Sequence, residues 1–360
     1  MKCWGDNVHG QLGHGSTFDG EGRPVYLYIV PMDVVGLSAG VASVSAGGIH
    51  SCAVTTSGAV KFWGSNDDGE LGDGTNTDSN VPVGVVGLDS GVASVSAGPA
   101  HSCAVTLSGA LKCWGQNSHG QLGTGNTRNS AVPVDVVGLS SGVATVATGP
   151  EHSCAVTTSG AVKCWGYNYF GQLGNGTTSL PPDHDSRVPV DVVGLAAGVA
   201  AVSVGYANSC AVTTSGALKC WGYNDYGQLG TGTTITAKTP ADVIGLGLGV
   251  ASVSMNANHG CAVMTSSAVK CWGDDASRLL GNTNPRSFAP WEVLGLTGIH
   301  GVSAGASHTC VVTTGGAMKC WGNDYRGQLG DGFNDNGWIP NRPPVDVAGL
   351  GSGTVAVPFG

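Results

Sequence analysis

The sequence is poor in charge. Only 11% of its 360 residues are Asp, Glu, Lys or Arg, less than half of the usual share of about 25%. The 15 basic residues are outnumbered by 24 acidic ones, which gives a formal net charge of −9. Because a surface that grips phosphate backbones needs clustered Lys and Arg, the composition predicts no nucleic-acid partner.

Long hydrophobic runs are also missing. The longest apolar stretch without a charge, residues 192–205, has 14 residues and includes three glycines, whereas a membrane-spanning helix needs about 20 mostly apolar residues. We therefore expect no membrane insertion. Hydrophobic residues still make up 41% of the chain, which is enough to bury a core and excludes a disordered chain.

Motifs of catalysis are missing too. The chain has no Gly-x-Ser-x-Gly elbow, phosphate loop or His-Glu-x-x-His helix. Its loop acids, such as Asp67, Asp68 and Asp73 or Asp331 and Asp335, lack the spaced ligands of a helix-loop-helix calcium site. We expect no enzyme, and no catalytic residue, cofactor or metal; calcium binding at these loops stays open.

What the sequence has instead is repetition. The dipeptide Trp-Gly occurs seven times, 49 to 59 residues apart, and the 61 glycines are spread over the repeats. One unit, residues 91–135, alternates short apolar runs with Gly, Ser, Asn and Pro, which is typical of strands. We expect residues 1–360 to form a single domain of seven repeats of about 50 residues.

The centre of each repeat predicts a β-hairpin whose register follows from its turn. In the third repeat a Ser-Gly pair closes a three-residue loop, with Gly109 in the left-handed conformation. Counting outward from this turn places Cys103 directly opposite Cys113. Opposed residues of an antiparallel pair have Cα atoms about 4.5–5.5 Å apart, within disulfide reach.

Ten of the twelve cysteines are opposed in this way. The predicted bridges are Cys103–Cys113, Cys154–Cys164, Cys210–Cys220, Cys261–Cys271 and Cys310–Cys320. A zinc site is excluded because one hairpin supplies two ligands and zinc takes four; buried free thiols remain an alternative. Five opposed pairs favour oxidation and thus an extracellular or cell-surface protein. Cys52 faces Phe62 and Cys3 lacks a hairpin partner, so both are expected to be unpaired.

Four strands are visible in each repeat: a small-residue strand such as VASVSAG, the two hairpin strands, and a last strand such as PVDVVGL. Four-stranded antiparallel units repeated around an axis form a β-propeller, and small residues suit the crowded inner strand. The pattern GxxH[ST]CAVTxSGA[VL]KCWGxNxxGQLG resembles the regulator of chromosome condensation repeat family over essentially the whole chain. The resemblance implies an all-β, seven-bladed propeller, and the paired cysteines are similar to those of bacterial, exported members.

One blade is a strand short. The innermost strand occurs seven times, the last at residues 353–359, and Trp-Gly also occurs seven times. The intervening strand occurs only six times, beginning at His50, His101, His152, Asn208, His259 and His308. We therefore expect the termini to share an incomplete blade. Either the chain is a fragment of a longer propeller array, or a neighbouring chain donates the strand.

The recurrent His and Trp are expected to be structural. Equivalent His residues in five blades lie on different sides of a ring, so we expect each to hydrogen-bond its own loop rather than to catalyse. The Trp of each Trp-Gly is expected to pack blade against blade.

The loops between Trp-Gly and Gly-Gln-Leu-Gly vary while projecting from one face of the ring, and scaffolds place function on such loops. We predict a face that binds a protein partner, rich in the residue types of binding hot spots: Tyr167, Tyr169, Phe170, Tyr223, Tyr226, Tyr325 and Arg326. The alternative is that these rings pack on neighbouring loops. The predicted function is a non-enzymatic extracellular binding scaffold, or alternatively a structural subunit of a surface array or filament built from identical chains.

Overall fold

The computed structural model describes residues 1–16, 27–178, 185–275, 279–281, 286–334 and 343–354. The strands within these ranges are β1 (Lys2–Asp6), β2 (Leu27–Asp33), β3 (Val41–Ala46), β4 (His50–Thr55), β5 (Val60–Gly64), β6 (Ser79–Gly84), β7 (Val92–Ala97), β8 (His101–Thr106), β9 (Leu111–Gly115), β10 (Ser130–Asp135), β11 (Val143–Thr148), β12 (His152–Thr157), β13 (Val162–Tyr167), β14 (Asp185–Asp191), β15 (Val199–Val204), β16 (Asn208–Thr213), β17 (Leu218–Gly222), β18 (Ala237–Asp242), β19 (Val250–Met255), β20 (His259–Met264), β21 (Val269–Asp274), β22 (Arg286–Glu292), β23 (Ile299–Ala304), β24 (His308–Thr313), β25 (Met318–Gly322) and β26 (Val345–Asp346). In this part of the chain no helix is long and apolar enough to cross a membrane.

The strands form six four-stranded antiparallel sheets and one two-stranded sheet. We number them as blades in chain order: blade 1 is β1–β2, blade 2 is β3–β6, and each further set of four strands is one blade up to blade 7, β23–β26. The first strands of successive full blades lie side by side, so they form the inner wall of the ring. The predicted all-β, seven-bladed propeller with one partial blade is confirmed.

Blade 1 is the partial blade. Its strands pair with Cys3 opposite Met32, in the places that the third and fourth strands occupy in a full blade. Within the described ranges, no strand pairs with the other edge of β1. Of the inner strand predicted at residues 353–359, residues 355–359 lie outside the described residues.

The hairpin register is the predicted one. Cys103 pairs with Cys113 and Val105 with Leu111, and Gly109 has a φ of +78°. Disulfides close the five predicted cysteine pairs, each with its Cα atoms 4.1 Å apart. Cys3 and Cys52 are free, and Cys52 lies opposite Phe62.

One hairpin turn has a serine where the others have a glycine in the left-handed conformation. Ser267 has a φ of +66° at the position that Gly109 takes in blade 3. An L-residue there pays roughly 1 kcal/mol because its Cβ crowds the following carbonyl. We expect Ser267→Gly to raise the free energy of unfolding by up to about 1 kcal/mol, measured by urea unfolding. Ser266→Gly, one residue earlier, is the matched control and should not stabilise the chain.

The Trp rings join the blades. Each Trp-Gly indole donates its Nε1 proton to a backbone carbonyl of the preceding blade, as from Trp165 to Gln121 at 2.8 Å. The partial blade is held by the same contact on both sides, from Trp4 to Gln328 at 3.1 Å and from Trp63 to Gln11 at 2.9 Å. The ring is therefore closed around blade 1, and the predicted packing role of the Trp residues is confirmed.

The recurrent His also joins blades, and the predicted bond to its own loop is wrong. His152 Nε2 lies 2.9 Å from the hydroxyl of Ser209 in the next blade. That hydroxyl donates to the carbonyl of Gln172 at 3.0 Å, so the imidazole must be the donor to it. The same His-hydroxyl contact recurs at His50, His101 and His259. The packing of adjacent blades places the hydroxyl at the start of the next second strand within hydrogen-bond distance of the imidazole.

The two departures from this pattern occur together. Blade 5 has Asn208 in place of His, and blade 6 has Gly260 in place of the hydroxyl residue. Asn208 instead donates to the backbone carbonyls of Asn256 and Ala257, both at 3.2 Å. A donor and its acceptor have thus been replaced as a pair, and the donor at this position keeps acceptors, although Asn208 Oδ1 is buried without a described hydrogen-bond partner.

Candidate functional site

Two sets of loops lie at one end of the blades: those after Trp-Gly, and those joining the first and second strands. The backbone links them, as in the bond from the Tyr167 amide to the Glu151 carbonyl at 2.9 Å. We call this end of the ring the loop face. The Ser-Gly hairpin turns lie at the opposite end, because successive strands of a blade are antiparallel.

A continuous run of rings crosses the loop face from blade 3 to blade 5. The ring centroids are 4.8 Å apart for His119–Tyr167, 6.3 Å for Tyr167–Tyr169, 4.8 Å for Tyr169–Phe170, 4.7 Å for Phe170–Tyr223 and 6.2 Å for Tyr223–Tyr226. We call these six residues the aromatic stripe. Such spacings are those of directly interacting rings, so five of the seven residues predicted for the partner-binding face form one surface.

The other two predicted residues lie apart from the stripe. The guanidinium of Arg326 lies 5.7 Å from the centre of the Tyr325 ring and 3.3 Å from Asp6 of blade 1. Tyr325 is 56% exposed. Blade 6 separates this pair from Tyr226, so the two groups are distinct patches of the loop face.

Part of the stripe joins blades, as the alternative interpretation expects. The residue directly before the first Gly of Gly-Gln-Leu-Gly contacts the outer strand of the following blade. At this position His119 Nδ1 lies 3.0 Å from Asp185, and the Tyr226 ring lies 5.2 Å from the Arg286 guanidinium. Phe170 has the same position in blade 4 and is half-buried. Tyr169, by contrast, is 49% exposed.

Sequence reasoning missed Tyr206. It lies in the loop between the first two strands of blade 5, is 54% exposed, and lies near enough to Tyr167 to act on it electrostatically. Burial, together with Glu151, Asp185, Tyr169 and Tyr206, raises the pKa of Tyr167. The sequence alone could have indicated this residue, because Tyr206 stands where blades 3 and 4 have Pro99 and Pro150.

The loop face carries almost all of the net charge. Its described residues include thirteen acidic and five basic side chains: Asp6, Asp67, Asp68, Glu70, Asp73, Asp78, Glu151, Asp185, Asp225, Asp274, Asp275, Asp324 and Asp331, against Arg128, Arg187, Lys238, Arg286 and Arg326. The remaining described charges, on the outer strands and the opposite end, balance at seven of each sign. Ten of these fourteen charges form five Lys–Asp pairs, such as Lys112–Asp135 at 2.7 Å. The surface potential is therefore one-sided.

Two of the loop acids considered for calcium accept hydrogen bonds, one from its own turn and one from the next blade. Asp73 accepts from the hydroxyl of Thr75 at 2.7 Å, and Asp68 accepts from Asn129 at 2.8 Å. In the described ranges no three His, Cys, Asp or Glu side chains are grouped as metal ligands. Asp335 lies outside those ranges.

Glu70 is the buried acid of the loop face. It replaces the Gln of Gly-Gln-Leu-Gly and is 3% exposed. Burial is the main cause that raises the pKa of its carboxyl group to about 7, helped by the charges of Asp68 and Asp67. The buried hydroxyl of Ser65 in the same loop has no described partner. A protonated Glu70 resembles the Gln that five other blades have at this position.

Replacing Glu70 tests this burial. Because the folded-state pKa is raised, the wild type loses stability as pH rises from about 4.5 to about 7. We expect Glu70→Gln to raise the free energy of unfolding by up to about 3 kcal/mol at pH 8 and to leave it nearly unchanged at pH 4. Urea unfolding at both pH values measures this. An equal gain in the free energy of unfolding at pH 8 and at pH 4 would show that the charge of Glu70 is not responsible.

Comparisons with known proteins agree with this architecture. The model of the RCC1-like domain family matches residues 1–357. The chain is 35% identical over 234 residues to the ultraviolet-B receptor UVR8 of Arabidopsis thaliana, which covers 64% of this chain and 50% of the receptor. It is 33% identical over 304 residues to the E3 ubiquitin-protein ligase HERC2 of Mus musculus, covering 82% of this chain and 6% of the ligase. The chain thus spans half the length or less of these relatives.

Solved structures share the ring. Human WBSCR16 superposes with a TM-score of 0.80 at 25% identity, over 96% of this chain and 93% of that chain. Prp20p of Saccharomyces cerevisiae superposes with a TM-score of 0.82 at 20% identity, over 96% of this chain and 85% of that chain, a likeness of fold alone. Because the family model matches nearly every residue, the chain belongs to the RCC1-like domain family.

Proposed function

We propose that the chain is a non-enzymatic, extracellular propeller domain that binds a protein partner through the loop face. The aromatic stripe carries this proposal. Interfaces concentrate their binding energy in a few Tyr, Trp and Arg anchors. The stripe offers several Tyr rings on a rigid ring, and Tyr169 in the stripe and Tyr206 beside it are open to solvent. The opposite end offers no comparable set of described rings in contact with one another.

Two observations support the remaining parts of the proposal. Disulfides are stable in oxidising compartments and rare in the cytosol, so five buried bridges favour an exported protein. The loop face is acidic, which disfavours nucleic acid as the partner. A scaffold fixed by bridges and inter-blade bonds suits a binding role, because a preorganised surface loses little entropy on association.

A selection experiment tests this function. A displayed library of random peptides is selected against the immobilised, oxidised chain, and the binders are re-measured against two variants. We expect Tyr169→Ala with Tyr206→Ala to abolish binding of most selected peptides. Leu107→Ser, at a 76% exposed position at the opposite end, is the matched control and should leave binding unchanged. Selected peptides that bind the Tyr169→Ala/Tyr206→Ala variant as tightly as the wild type would overturn the proposal.

The partial blade favours a second candidate function, assembly by strand exchange. The outer strands of five of the six full blades carry a proline, which removes a ladder amide and protects these edges: Pro82, Pro133, Pro189, Pro240 and Pro290. The edge of β1 has no such residue. Cys3, on this strand, lies where Cys113 does in blade 3, so a donated strand with a Cys at the matching position would face it.

Assembly is tested at Cys3. Strand exchange predicts that the wild type sediments as concentration-dependent oligomers, and that Cys3 within them resists a thiol reagent because the donated strand covers it. Cys52 is the internal reference, because that thiol is buried inside blade 2. A wild type that sediments as a monomer at all concentrations would rule out strand exchange.

A further inference from the structure

Aromatic rings on the loop face bind guanidinium groups within the chain itself. Arg286 lies over Tyr226 at 5.2 Å with Asp274 at 3.9 Å from its Nε. Arg326 lies over Tyr325 at 5.7 Å with Asp6 at 3.3 Å. In both places a Tyr ring and a carboxylate receive the same cation, an arrangement that combines cation–π and ionic attraction.

In the middle of the stripe Tyr rings again lie close to carboxylates, and Tyr169 and Tyr206 are about half exposed. The Tyr167 and Tyr169 rings are nearly parallel, at 9° and 6.3 Å, and Tyr206 lies near Tyr167. Glu151 acts on Tyr167, and Asp225 accepts a hydrogen bond from Tyr223. Glu151 is also 3.7 Å from His119, whereas Asp225 is exposed.

We propose that Tyr167, Tyr169, Tyr206 and Tyr223, with Glu151 and Asp225, bind an arginine side chain in an extended segment of the protein partner. This inference rests on the proposed function and specifies its partner. The charge distribution supports it: thirteen acids face five bases at this end of the ring, so a cationic segment is attracted and an acidic one repelled. Planar guanidinium stacks on Tyr and pairs with carboxylate at once.

A peptide probe tests the proposal. The probe is an acetylated, amidated peptide of alternating Gly-Ser and Arg, titrated against the oxidised full chain by calorimetry. We expect saturable binding that weakens at higher ionic strength. Tyr169→Ala and Asp225→Asn should each lower the affinity about tenfold, the size of one partly desolvated cation–π or ion-pair contact. Asp135→Asn, an acid of the outer strands, and Leu107→Ser are controls expected to leave the affinity unchanged.

The same peptide with citrulline in place of arginine separates the two proposals. Citrulline keeps the shape and loses the charge, so we expect its affinity to fall at least tenfold. Equal binding of both peptides would overturn the arginine proposal. Selected binders that are acidic or apolar, yet lost in the Tyr169→Ala/Tyr206→Ala variant, would also overturn it while leaving the binding function of the loop face intact. Full affinity of the arginine peptide for Asp225→Asn and Tyr169→Ala would reject this location.

Discussion

Lowering the pH from 7 to 5 is expected to unfold the ring cooperatively. Five imidazoles are buried between the blades, and desolvation is the main cause that lowers their pKa from 6.5: to about 4 for His50 and His308, and to about 3 for His101, His152 and His259. In His50, His152 and His259, Nδ1 is buried without a described hydrogen-bond partner. Adding a proton there would place an unpaired charge in the core.

The direction of the pH effect on stability follows from proton uptake by the unfolded and the folded chain. The unfolded chain takes up protons near pH 6.5 and the folded chain only near pH 3 to 4, so stability falls as pH drops through this interval. At one pH unit below 6.5, each buried imidazole lowers the free energy of unfolding by about 1.4 kcal/mol. Five together cost about 7 kcal/mol, which is comparable with the whole free energy of unfolding of a typical domain, about 5–15 kcal/mol. Glu70 reduces this pH dependence by about one proton. Its raised pKa lets the folded chain take up a proton at a higher pH than the unfolded chain does.

Urea unfolding at a series of pH values from 8 to 5 measures the effect. The slope of the free energy against pH should approach about four protons in the wild type and about five in Glu70→Gln, where the opposing group is absent. His152→Asn should reduce the slope by about one proton, because Asn does not titrate. A free energy of unfolding that stays constant between pH 7 and pH 5 would contradict buried neutral imidazoles.

Removing the five disulfides is expected to have the largest effect of any covalent change. Each closes a loop of ten residues in sequence separation, for which restriction of the unfolded chain is worth about 2–3 kcal/mol. A chain lacking all five should therefore lose on the order of 10 kcal/mol and fail to fold stably. The bridges are fully buried, so reductant alone should act slowly on the native ring.

Single bridges give the quantitative test. Cys154→Ala with Cys164→Ala should lower the free energy of unfolding by about 2–3 kcal/mol in urea. The matched control is Cys52→Ala in blade 2, a hairpin without a bridge, which should cost only the packing of one small side chain. Mass spectrometry of the chain alkylated in denaturant without reductant should show two modified thiols, Cys3 and Cys52. Twelve modified thiols would reject both the bridges and the extracellular proposal.

The register and the bridges could be predicted because they are local. The turn at Ser108 and Gly109 fixes which residues of one hairpin face each other, and Cys103 and Cys113 are only ten positions apart. The repeat spacing then fixes the number of blades, and one missing copy of the second strand predicts the partial blade. None of these inferences depends on how one blade is oriented against the next.

Contacts between blades depend on that orientation, and the sequence does not state it. His152 and Ser209 are 57 residues apart, and only the rotation of blade 5 against blade 4 brings them within hydrogen-bond distance. The same rotation brings Phe170 against Tyr223, places Tyr206 beside Tyr167, and leaves Tyr325 apart. Thus the sequence by itself determined the blades, their bridges and the missing strand, whereas the tertiary structure decided which side chains of different blades meet, because that depends on packing around the ring.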